Sequence, residues 1–134
     1  MSLGPHIVIP NAQGSPANGN SMAGNITSQA SITTVMGRLS YQVVWSGTSP
    51  VGTVSIQGSN DYVLSSTGEV LNAGNWDTLT VEYLGSPVQS IPVTGNTGSG
   101  LIDLTTTGIY ATRLVYTATS GVGSLTVTVF GKGP

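Results

Sequence analysis

Five carboxylates, Asp61, Glu69, Asp77, Glu82 and Asp103, and one histidine, His6, are the acids and the imidazole that a hydrolase could use in this 134-residue chain. Glycoside hydrolysis needs two carboxyls facing each other across a cleft. Asp61 and Asp77 border the same loop, so they are the pair such a reaction would use. The plainer reading has Asp61 capping a turn after Asn60, with Asp77 and Glu82 as solvated strand residues. A Ser-His-Asp hydrolase would have to recruit His6, which sits between Pro5 and Ile7 with no acid near it in sequence. No Gly-x-Ser-x-Gly elbow offers a nucleophile. The absence of cysteine removes disulfides and thiolate zinc sites, and no Asp-rich spacing of the calcium-loop kind occurs. The expectation is a protein that is not an enzyme, with no metal and no cofactor.

Binding chemistry is better represented. Trp76 stands between Asn75 and Asp77, across a loop from Asn60 and Asp61. An exposed indole beside amides and carboxylates can stack a pyranose ring while they fix its hydroxyls. Asn60, Asp61, Asn75, Trp76 and Asp77 are therefore the candidate glycan site. The competing view is that Trp76 starts a strand and packs inward, as Trp45 is expected to do, because indole burial contributes heavily to cores. A second candidate is the apolar island Ile7, Val8 and Ile9, bracketed by Pro5 and Pro10. Such a segment can lie extended along a sheet edge, the chain's own or a neighbour's, and bind through main-chain hydrogen bonds.

Charge narrows the partners. Only 6% of residues are charged, against roughly a quarter in ordinary soluble domains, and the net charge is −2. The three cations, Arg38, Arg113 and Lys132, are far apart in sequence, so phosphate neutralisation is not served and nucleic acid is not an expected partner. No apolar run approaches the roughly 18 residues of a membrane-spanning helix, and no basic segment precedes an apolar one as in a secretory signal. Solubility rests on hydroxyls and amides. A surface this poor in lysine lacks the usual means of blunting sheet edges, which suits contact with other protein.

These groups need a scaffold, and the scaffold reads as all-β. Residues 1–25, rich in Gly, Pro, Asn and Ser, read as an extended N-terminal arm, with a flexible leader as the alternative. Residues 26–134 read as the folded domain. Apolar and hydroxyl residues alternate in short runs: Ser28 to Val35, Leu39 to Ser46, Val51 to Ser59, Trp76 to Tyr83, Val88 to Val93 and Leu101 to Leu104. A short strand at Tyr62 to Ser65 is a further candidate. Turns are expected at Gly47 to Pro50 and Asn96 to Gly100. The stretch from Ile109 to Gly131 reads as two strands joined at Ser120 to Gly123. Its inward residues would be Tyr110, Leu114 and Tyr116 on the first strand, then Leu125, Val127 and Val129, with Arg113 facing water. No window shows helical spacing. The pattern predicts a two-sheet antiparallel β-sandwich of jelly-roll type, with an immunoglobulin-like sandwich as the second arrangement.

Two stretches resemble a known family. Val54-Ser-Ile-Gln-Gly-Ser-Asn-Asp61 followed by Asn75-Trp-Asp-Thr-Leu79 is similar to the strand, Ser-Asn-Asp, loop, Trp, strand signature of discoidin-like and galactose-binding-like jelly rolls. Ala111 to Tyr116 and Gly123 to Gly131 resemble their last strand pair. The compact Asp-Gly turn of that pattern is replaced here by a longer excursion through Tyr62 and Gly68. Across the whole chain, low charge, no cysteine, abundant Ser, Thr and Gly, and an N-terminal arm resemble small all-β virion proteins of tailed bacteriophages. That likeness implies a non-enzymatic role in the virion as a capsid decoration or cement protein. It implies capsid or other virion proteins as partners and a homo-oligomer, a trimer by preference. A carbohydrate- or receptor-binding module of a tail or fibre is the alternative.

Overall fold

The computed structural model describes residues 6–8, 20–28, 30–32, 38–104 and 109–132. In chain order the strands are β1 (His6–Val8), β2 (Asn20–Ser21), β3 (Ile26–Thr27), β4 (Ser31–Ile32), β5 (Arg38–Ser59), β6 (Val63–Leu64) and β7 (Val70–Asn72). They continue as β8 (Asp77–Thr78), β9 (Val81–Tyr83), β10 (Ser86–Val88), β11 (Ile91–Val93), β12 (Thr97–Leu104) and β13 (Ala111–Lys132). Among the described residues there is no helix, and every pairing is antiparallel.

Two strands of 22 residues, β5 and β13, form the spine, pairing from Arg38↔Lys132 to Ser59↔Ala111. The two turns expected at Gly47 to Pro50 and Ser120 to Gly123 are therefore not chain reversals. They lie opposite each other in the ladder, where the register shifts and where Ser49 (φ 47°) and Gly121 (φ 80°) adopt left-handed backbone. The residues that make a turn also make a bulge. Here each strand finds its partner kinked at the same level, so both bend and continue. A Cβ at position 121 would lie 2.0 Å from the Ser49 carbonyl oxygen, so only glycine fits the bend. The stretch from Ile109 to Gly131 is accordingly one bent strand from Ala111 onward, not a hairpin.

At about 3.3 Å per residue a straight 22-residue strand would reach roughly 70 Å, against a radius of gyration of about 14 Å for a compact chain of this length. The ribbon doubles over. Tyr41, paired with Val129, lies 17 residues along β5 from Gly58, which pairs with Thr112, yet the Tyr41 hydroxyl and Thr112 Oγ1 are hydrogen-bonded at 2.8 Å. The first half of β5 carries β12, bonded from Ser46↔Thr97 to Leu39↔Leu104, and beyond it β9 and β10. The second half carries β11 and β8. On its other edge β13 carries β1 and β2 at one end, β3 and β4 at the other.

Alternation sets the inner faces. Leu39, Tyr41, Val43 and Trp45 are all buried, as are Val54 and Ile56, and Leu125, Val127 and Val129. Leu114 and Tyr116 join them, while Tyr110 is only half-buried, because β13 begins after it. Each fully buried aliphatic contributes about 1.5–3 kcal/mol relative to exposure. Met22, within the N-terminal segment, has no exposed surface and belongs to this core. Of the strand expected at Ser28 to Val35 only β4 lies within the range; β3 precedes it, and residues 29 and 33–37 lie outside the described set.

Two further departures have local causes. The expected turn at Asn96 to Gly100 lies largely within β12. Its glycines seat aromatic rings: a Cβ on Gly98 would meet the Trp45 ring at 2.3 Å. Between the two runs read as Trp76 to Tyr83 and Val88 to Val93, β9 and β10 form a tight hairpin turning at Leu84 and Gly85, both with positive φ.

Candidate functional site

The excursion between β5 and β8 is held by side chains. At its neck Asp61 accepts three hydrogen bonds across the loop's two ends: Oδ1 from Ser59 Oγ (2.8 Å) and from the Asn75 amide N–H (2.7 Å), and Oδ2 from Asn75 Nδ2 (2.6 Å). These donors, with the Asn75 backbone first, hold the Asp61 carboxyl at about 2, below the ordinary 3.8. A general acid needs the opposite shift. Asn60 Oδ1 accepts from the Tyr110 amide at 2.8 Å, tying the neck to the chain entering β13. Within the loop β6 and β7 form a two-stranded hairpin whose tip is organised by Ser65, which accepts from the amides of Thr67 and Glu69.

Trp76 takes neither of its expected positions. Its indole N–H donates to the Ala73 carbonyl at 2.7 Å, Tyr62 packs against it with centroids 5.4 Å apart, and the Arg113 guanidinium carbon lies 4.2 Å above its ring. Arg113 also donates from Nε to Gln57 Oε1 at 2.8 Å, across the β5–β13 ladder. Arg113 was expected to face water, but the indole lies over it. Burial pushes its guanidinium down from the usual value, and burial with neighbouring Tyr110 pushes the Tyr62 phenol up. The aromatic pair and the cation fasten the excursion to the outward face of the sheet.

The other four glycan candidates do converge. Asn60, Asp61, Asn75 and Asp77 border one open cleft of about 450 Å³, floored by Gly58, Leu79 and Ile109. Trp76 does not line it. Asp77 is placed by the Gly58↔Asp77 pairing, and Leu79 by the hydrogen bond its backbone N–H donates to the Ile56 carbonyl at 2.8 Å. Leu79 and Ile109 were not sequence candidates. Their meeting joins segments 30 residues apart, and no local pattern announces it. Among the described residues no group of three His, Cys, Asp or Glu side chains is placed to hold a metal ion. In the N-terminal segment, Ile7 and Val8 lie on β1, opposite Thr128 and Val127 of the chain's own β13, and Ile9 lies outside the described residues.

The fold and cleft define an all-β protein built on a doubled antiparallel ribbon. No family model and no curated protein matches the sequence. Among solved structures the chain is similar to the crystal structure of SPBc2 prophage-derived protein YomS, with a TM-score of 0.51 over 84% of this chain and 87% of that one. Identity is 12%, so the likeness is one of fold.

Proposed function

We propose that this chain is a non-enzymatic structural protein of a phage virion, a capsid decoration or cement protein that acts as a homo-oligomer, a trimer by preference. The carrying observation is the surface. On the outward side of β5 and β12, Val44 and Leu101 are about half exposed among Ser40, Gln42, Ser46 and Ser99, and the charges lie at one edge, on Asp103 and its ladder partner Glu82. Such a face has little to desolvate except hydroxyls and amides, and it presents apolar area to a partner. The fold shared with a prophage-derived protein supports the phage setting. Among the described residues β1 ends the strand order, so its outer side offers main-chain groups of Ile7 and Val8 to a capsid neighbour. Many weak contacts acting together then secure the particle.

The test is incorporation into particles. A Val44→Lys, Leu101→Lys double variant charges the face without touching the core, and removal of residues 1–19 deletes the arm while keeping Met22. Both are expected to fold, by circular dichroism, and to fail to bind virions. Undiminished binding by both variants would sink the reading.

A further inference from the structure

We infer that the cleft bounded by Asn60, Asn75 and Asp77 is a binding site for a neutral saccharide, a role additional to the structural one. Its volume falls in the range of small-molecule sites, about 300–1,000 Å³. Its floor is hydrocarbon: Leu79 and Ile109 are half-buried and pack close over Gly58, which has no side chain to hold them off. A Cβ on Gly58 would come within 3.0 Å of Ile109 Cγ2 and 3.2 Å of both Leu79 methyls.

The free polar groups decide the ligand class. Asp61 is consumed by its internal donors and serves as the clamp. Asn60 spends its carbonyl on Tyr110, leaving Nδ2 as a donor, and Asn75 spends Nδ2 on Asp61, leaving its carbonyl as an acceptor. The Asp77 carboxylate is exposed and has no hydrogen-bond partner among the described residues. The cleft therefore presents a donor, a neutral acceptor and a charged acceptor around an apolar floor. A sugar hydroxyl both donates and accepts, and a charged acceptor makes the stronger bond to it. The apolar C–H face of the ring covers Leu79 and Ile109. An anion would meet two carboxylates with no cation lining the cleft, and an ammonium would leave the Asn60 donor unanswered. The indole of Trp76, committed to Arg113 and Tyr62, takes no part. Strand pairing at Gly58↔Asp77 makes the site rigid before the ligand arrives.

The experiment is a two-dimensional amide NMR titration of the full chain with glucose, galactose, mannose and N-acetylglucosamine, and separately with butylamine. At least one sugar is expected to give saturable shifts confined to Gly58, Asn60, Asn75, Asp77 and Leu79, with a dissociation constant on the order of 1 mM. Asp77→Ala should weaken that binding about tenfold or more, whereas Trp76→Phe should leave it unchanged. Saturation by butylamine alone, no saturation by any sugar, or sugar binding indifferent to Asp77→Ala would each overturn the assignment. None of these results bears on virion incorporation, which the Val44 and Leu101 variants probe on another face.

Discussion

The β5–β13 ribbon and the Asn60–Trp76 excursion leave the same strand end, yet different forces hold them. The ribbon is fixed by a ladder interrupted only at its bend and by an apolar inner face, both cooperative and indifferent to pH. The excursion buries little: Val63, Val70 and Leu71 are all exposed. A carboxylate at its neck and a cation–aromatic stack at its side do the fastening. Damage to the first should therefore spread through the molecule, and damage to the second should stay local.

Leu125→Ala gives the largest expected effect. Its side chain is fully buried opposite Trp45, and truncation should cost about 2–5 kcal/mol by urea unfolding, in one cooperative transition. Trp76→Ala should cost about 1 kcal/mol, the sum of a partly exposed cation–π contact and an aromatic pair. Its signature is local: hydrogen exchange should quicken at the Glu69 and Asn75 amides while the ribbon amides stay protected. Equal loss of protection in both regions would erase the distinction.

A finer comparison sits inside the core. Tyr41 and Tyr116 are both fully buried, but they differ in their hydroxyls: that of Tyr41 is hydrogen-bonded to Thr112 across the doubled ribbon, and that of Tyr116 has no partner among the described residues. Tyr41→Phe should lose about 1 kcal/mol and leave Thr112 short of a partner. Tyr116→Phe should be neutral or stabilising, since a buried polar group without a partner costs about 1–3 kcal/mol. Thermal melts of the two variants decide it, and the reverse order would refute the assignment of the cross-ribbon bond.

The inner faces were legible because a period of two survives any rearrangement of strands: Leu39 to Trp45 and Leu125 to Val129 point inward whatever lies beyond their ends. The ends were not legible. Gly47, Pro50, Ser120 and Gly121 have the chemistry of a reversal and of a bulge alike, and only the partner strand, kinked at the same level, selects between them. Gly98 looks like a turn residue in sequence and is the seat of the Trp45 ring in space. Leu84, at φ 53° and almost fully exposed, occupies a turn position usually filled by Asn or Gly, so the hairpin at its tip carried no signal. In the cleft, Asn60, Asp61, Asn75 and Asp77 were foreseeable because they flank one loop. Leu79 and Ile109 were not, since their contact is made by the fold.

The smallest effect is also the most selective, because it acts through one proton. Asp61 is held at about 2 in the fold against 3.8 ordinarily. A carboxyl depressed by folding contributes its full stabilisation above its unfolded value, and that contribution fades as pH falls towards the folded one. Between pH 4 and pH 2 the neck should therefore loosen while the ribbon, whose inner face carries no carboxylate, persists. Trp76 fluorescence should change in that window and far-ultraviolet circular dichroism should not. Asp61→Asn should abolish the pH-dependent part of the fluorescence change, because its uncharged amide cannot titrate and its N–H₂ confronts the Asn75 donor. Loss of both signals together, in wild type and variant alike, would mean that the clamp and the ribbon form one cooperative unit.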